Sequence, residues 1–109
     1  MATSQKTIEF LFEQIAGAGL LRYRKMFGEY AVYLNEKVVG FVCNDKLFVK
    51  PTEAGREYIG EPEEAPAYPG SKMYFYISTD LWEDREWITE LIVRTADALP
   101  LPKPTNKRK

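Results

Sequence analysis

The chain has 109 residues, 45% hydrophobic and 28% charged, with a formal net charge of −1. That length suits one hydrophobic core and is too short for two, and the composition excludes intrinsic disorder over most of the sequence. With no histidine at all, imidazole bases, histidine-containing catalytic triads and the commonest metal ligand are excluded as well.

In chain order, Ile8, Leu11, Phe12 and Ile15 recur at helical spacing between about Ser4 and Gly17, with Lys6, Glu9, Glu13 and Gln14 between them. The pattern predicts a helix with one buried stripe, stopped by Gly17-Ala18-Gly19. Leu21 to Phe27 alternates as an edge-like first strand, placing Arg22, Arg24 and Met26 opposite Leu21, Tyr23, Lys25 and Phe27. Met26 and Phe27 are read as core, Gly28-Glu29 as a bulge or tight bend, and Arg24 as edge protection.

Tyr30 to Leu34, Val38 to Cys43 and Leu47 to Lys50 follow as strands. The joints Asn35-Glu36 and Asn44-Asp45 are short hairpin turns, which makes the unit an antiparallel meander. The near-continuous apolar content of Val38 to Cys43 predicts a central strand. Pro51 ends the last of these runs, and Thr52 caps a short helix to about Ile59, closed by Gly60.

Glu61 to Gly70 holds three prolines and an acidic cluster, and the expectation there is a loop without regular structure. Met73, Phe75 and Ile77 alternate with Tyr74, Tyr76 and Ser78 as a fifth strand whose tyrosines line the open face. One long helix is expected from Asp80 to about Leu99, with Glu83 as capping-box partner, Ile88, Leu91, Ile92, Thr95 and Leu99 as its buried stripe, and both tryptophans against the sheet margin. Residues 100–109 read as a disordered tail, rich in proline and ending in basic residues.

The fold class that follows is α+β, two-layered, with an antiparallel sheet of about five strands and helices at the N-terminus, middle and C-terminus. Residues 1–99 form one domain. Neither a membrane span nor a signal peptide is legible, so a cytoplasmic protein is expected. The single cysteine, Cys43, reads as a small buried hydrophobe.

The sequence contains no phosphate-binding glycine loop, CxxC pair or metal-ligand cluster. No cofactor or metal is therefore expected. A carboxylate–lysine enzyme would need Lys50 or Lys72 beside Glu29 or Tyr30. Arg22, Arg24, Lys25 and Lys50, with Tyr74 and Tyr76, are the candidates for an anion- or RNA-contacting surface, provided the fourth strand lies near the first. Against this, removing Lys103, Lys107, Arg108 and Lys109 from the 15 basic residues leaves 11 against 16 acidic ones, a body of −5. An acidic body is a poor nucleic-acid surface.

The run Arg24-Lys25-Met26-Phe27-Gly28-Glu29-Tyr30, then Tyr33 and Leu47-Phe48-Val49-Lys50, resembles the N-terminal domain of the TfoX/Sxy family of bacterial competence regulators over about Thr7 to Leu99. Members usually carry a proline before the methionine and a second glycine after Phe-Gly, where this chain has Lys25 and Glu29. The resemblance implies a helix, a three-stranded meander with its preceding segment, a helix, a two-strand continuation and a helix, as in secretion-chaperone-like domains. It also implies a stand-alone, non-catalytic regulatory or protein-binding module, with no catalytic residues. The expected partners are a protein, with a transcription factor as the suggested class, and a second copy of the chain. Arg22, Arg24, Lys25, Glu29, Tyr30 and Lys50 are the candidate binding residues. Nucleic-acid binding through Arg22, Arg24, Lys25 and the basic tail is the alternative.

Overall fold

A computed structural model describes residues 3–26 and 29–100. Helix α1 (Gln5–Gln14) starts where the Ser4 side chain accepts the Thr7 amide, and its stripe of Ile8 and Leu11, continued by Ile15, is fully buried. Capping of this kind satisfies an amide that the first turn would otherwise leave unpaired. A short 3-10 turn, Ala16–Ala18, leads to Gly19 at φ +146° and into the sheet.

Strands β1 (Leu21–Met26), β2 (Glu29–Leu34), β3 (Lys37–Cys43) and β4 (Lys46–Val49) form the antiparallel meander. The two turn pairs Asn35-Glu36 and Asn44-Asp45 all take positive φ, between 52° and 70°. Two successive positive-φ residues twist the backbone in the sense that matches two paired strands.

Helix α2 (Glu53–Ile59) is capped by Thr52, whose Oγ1 accepts the Gly55 amide at 2.9 Å. Then come β5 (Glu63–Pro66), β6 (Met73–Ile77), the single turn α3 (Thr79–Trp82) and α4 (Arg85–Ala98). The sheet order is β1-β2-β3-β4-β6-β5, with every neighbouring pair antiparallel.

One face of this sheet carries Tyr30, Val32, Leu34, Val42, Leu47, Val49, Phe75 and Ile77, all buried against Ile8, Leu11, Ile15, Trp82, Ile88, Leu91 and Ile92. This is the main core. On the opposite face a smaller cluster of Cys43, Phe48 and Ala67 is flanked by Phe41, Ala65, Tyr74 and Tyr76. Strands β3 and β4 are thus covered on both sides, as the apolar run Val38 to Cys43 predicts.

The sheet is not uniform. The β2–β3 register shifts between Val32 and Tyr33, and Gly40 pairs with both Val32 and Val49. A Cβ at Gly40 would stand 2.4 Å from the Phe48 carbonyl oxygen, so the strands approach here more closely than any side chain permits.

Four expectations from the sequence are corrected. The sheet has six strands, because the proline-rich acidic segment contributes β5. Prolines tolerate an edge position, where one flank of the strand needs no ladder. The C-terminal helix is broken at Glu83–Asp84: the Asp84 side chain accepts the Trp87 amide and starts α4 afresh, and Ser78 before α3 makes no side-chain cap. Trp82 lies at 0% exposure inside the core with its indole N–H donated to the Ile77 carbonyl at 3.1 Å, while Trp87 stacks on Tyr58 of α2. Met26 is 38% exposed rather than core, because its strand is the sheet edge. Phe27, the bend at Gly28 and the tail residues 101–109 lie outside the described residues.

Candidate functional site

The face of the sheet away from the helices is only partly covered. Beyond β5 the chain turns back so that Ala67 packs on Cys43 and Phe48. The turn is held by Ser71, whose Oγ accepts the Ala67 amide at 2.9 Å and whose amide donates to the Tyr68 carbonyl at 3.0 Å. Between this turn and the β1–β3 side of the sheet lies a cleft of about 460 Å³ lined by Met26, Glu29, Tyr30, Phe41, Cys43 and Tyr68.

A second depression of about 410 Å³ continues from it, sharing Phe41 and Tyr68 and adding Lys50, Lys72, Met73, Tyr74 and Leu99 among its walls. The two together make an aromatic trough. Phe41 meets Tyr74 edge to face at 5.6 Å between ring centroids, which fixes one wall.

Glu29 is the acidic member of the first cleft. Its Oε1 accepts the Thr3 hydroxyl at 2.6 Å and the Asn44 amide at 3.0 Å. These bonds tie the carboxylate to the β3–β4 turn and to the segment before α1. The same turn is clamped by Asp45, whose Oδ1 accepts the Ser4 amide at 2.9 Å and the Thr7 hydroxyl at 2.7 Å. Those two hydrogen bonds, the Ser4 amide first, hold the Asp45 carboxyl below its ordinary range.

Cys43 sits on the cleft wall at 6% exposure. Burial, reinforced by the negative charge of Glu29, pushes its thiol up to about 11. A thiol held protonated at neutral pH is a weak nucleophile. Burial also raises the Tyr74 phenol, with smaller contributions from Tyr68 and Cys43. Among the described residues no cluster of three or more His, Cys, Asp or Glu could hold a metal.

The residues singled out from sequence fall in three places. Arg22, Arg24 and Lys25 lie exposed on edge strand β1. Arg22 is already engaged, 3.1 Å from Glu36 and with its guanidinium 4.1 Å over the Tyr33 ring. Lys50 follows β4, which β2 and β3 separate from β1, so it does not join the arginines. Instead it shares the second depression with Lys72, while Glu29 and Tyr30 line the first. Tyr30 lines the cleft but is anchored, at 2% exposure, with its hydroxyl donating to Gln5 Oε1 at 2.9 Å.

Sequence reasoning did not single out Phe41, Cys43, Tyr68 and Met73 as site residues. For the first two a signal exists: Phe41 and Cys43 flank the core-facing Val42, so β3 is apolar on both faces. Tyr68 carries no such signal, because its place depends on a turn that only the β5–β6 pairing creates.

Comparison with known proteins bears on what such a site does. The TfoX N-terminal domain family matches residues 13–99. The "uncharacterized 12.7 kDa protein in trpE 5'region" of Spirochaeta aurantia is 43% identical over 104 residues, which cover 95% of this chain and 90% of that protein. No described helix is long and apolar enough to cross a membrane.

Proposed function

Because the chain belongs to the TfoX N-terminal domain family, a family of regulatory modules, we propose that it is a non-catalytic regulator that works by docking a protein partner in the aromatic trough. The partner is a component of the transcription machinery in the cytoplasm, and the contact modulates transcription. One observation carries this reading: the trough presents Met26, Tyr68 and Met73, respectively 38%, 55% and 49% exposed, beside the wall formed by Phe41 and Tyr74. Apolar and aromatic side chains gathered in a depression with charged groups at its ends, here Glu29, Lys50 and Lys72, have the anatomy of a binding surface with anchors and a polar rim.

The test uses a photo-crosslinking amino acid placed at Tyr68 in living bacterial cells, with Glu57 on the exposed side of α2 as control. A transcription-associated protein cross-linked from position 68 and absent from position 57 supports the reading. No product at 68, or the same products from both positions, overturns it.

Nucleic-acid binding through Arg22, Arg24 and Lys25 has less support. Arg22 is engaged by Glu36 and Tyr33, which leaves a small cationic surface on an acidic body.

A further inference from the structure

We propose that copies of this chain associate head to tail through the two edges of the sheet, β5 of one copy beside β1 of the next. The inference concerns the edges alone and stands independently of what the trough binds.

The registers of the five strand pairs can be followed straight across the sheet. Arg24 pairs with Ala31, Ala31 with Phe41, Phe41 with Phe48, Phe48 with Tyr76, and Tyr76 with Glu63. A single row of residues therefore begins at an arginine on one edge and ends at a glutamate on the other. Both end residues are exposed. Of the neighbouring charges, Arg22 is matched with Glu36 at 3.1 Å and Glu64 with Arg56 at 2.9 Å, while Lys25, beside Arg24 on β1, has no ion-pair partner among the described residues and adds to the positive edge. Among the described residues Arg24 and Glu63 have no ion-pair partner within the chain.

Strand direction fits as well. Every pair in the six-stranded sheet is antiparallel, so the strands alternate and the two edge strands run in opposite senses. A second copy set beside the first by a shift along the sheet, with the usual strand-to-strand twist, continues that alternation. Its helices stay on the same side, and its Arg24 enters the row that ends at Glu63. Charged edge residues ordinarily guard a sheet against its own kind because like charges oppose one another. Here the edges carry opposite signs, so the same device attracts.

Such a contact is heterologous and does not close on itself. It is also short. β5 has four residues, and its last, Pro66, has no N–H to give. The association is therefore weak, reversible and governed by salt, since exposed charges interact over about 30 Å at about 0.01 M salt and about 3 Å at about 1 M.

Sedimentation velocity of the full chain at low and high salt, with Arg24→Glu and Glu63→Lys variants, tests this. Circular dichroism first confirms that each variant is folded. The expected result is a sedimentation coefficient that rises with concentration for the wild type at low salt and loses that rise at high salt. Each variant alone, with like charges on both edges, stays monomeric. An equimolar mixture of the two regains association, because Glu at position 24 of one variant now faces Lys at position 63 of the other. A wild type that remains monomeric up to about 1 mM at low salt, a single variant that associates like the wild type, or a mixture that stays monomeric overturns the proposal.

Discussion

The Gln14 side-chain amide donates to the Trp82 carbonyl oxygen at 2.8 Å, joining the end of α1 to the end of α3, 68 residues later in the chain. Gln14 is buried and its Oε1 accepts from Arg85 at 3.2 Å, while the Thr89 hydroxyl donates to the Gln14 carbonyl at 3.0 Å. This network closes the gap left where the C-terminal helix breaks. Replacing Gln14 by leucine keeps the volume and leaves the Trp82 carbonyl without its donor, which costs about 2 kcal/mol. Urea unfolding is expected to show a lower midpoint with an unchanged slope.

Gly40 is required by the approach of β3 to β4. With a Cβ position 2.4 Å from the Phe48 carbonyl oxygen, Gly40→Ala forces the central pair of the sheet apart and costs about 3 kcal/mol. The neighbouring Val39→Ala removes methyl groups from the core without that clash and is expected to cost about 1–2 kcal/mol. Comparing the two by thermal unfolding separates backbone approach from cavity formation, and equal losses would contradict the assignment.

Cys43 provides a pH signature. Its thiol stands at about 11 in the folded chain against 9.0 ordinarily, which lowers the thiolate fraction near pH 8 by about a hundredfold. Alkylation of the native protein at that pH should be slower than that of the urea-unfolded chain by at least this factor. The sign for stability follows from a folded pKa above the unfolded one: the unfolded chain loses its proton first, so stability falls as pH rises from 9 toward 11.

Asp45 gives the opposite sign at the acid end. The Ser4 amide and the Thr7 hydroxyl hold its carboxyl below the ordinary 3.8. The stability it contributes is complete above that ordinary value and is lost as pH falls through the lower, folded value. The Ser4 amide resonance is expected to titrate with a midpoint below 3.8. Asp45→Asn, which tolerates the positive φ of this turn, should abolish that titration.

The Arg22–Glu36 pair is expected to contribute little. Both side chains are about half exposed, so Glu36→Gln should change stability by no more than about 0.5 kcal/mol. A loss well above this would show that the pair, with Arg22 over Tyr33, fixes the β1–β2 edge.

Much of the architecture is written locally. The α1 stripe is legible because Ile8, Leu11 and Ile15 recur at the period of a helix, and the meander because two short turns, Asn35-Glu36 and Asn44-Asp45, separate its strand-like runs, the second pair being of residue types that tolerate positive φ. Thr52 announces α2 through the amide it caps, and Phe75 and Ile77 announce β6 by strict alternation. Each signal depends on a few consecutive residues and on covalent geometry that no distant contact needs to supply. The family, too, was visible in the run from Arg24 to Tyr30 and in Leu47 to Lys50.

What the sequence could not determine depends on residues far apart in the chain. Glu63–Pro66 becomes a strand only because β6 offers it a ladder, and Pro66 within it and Pro62 before it argue the other way. Trp82 is core rather than margin because Gln14 and the main cluster close around it. The trough joins Met26, Phe41 and Tyr68, and the row from Arg24 to Glu63 joins the two edges through five registers. Local pattern specifies which face of an element is apolar. Which surfaces then meet, and which are left for a partner, is decided by strand order and packing, because these set distances between side chains that sequence spacing leaves free.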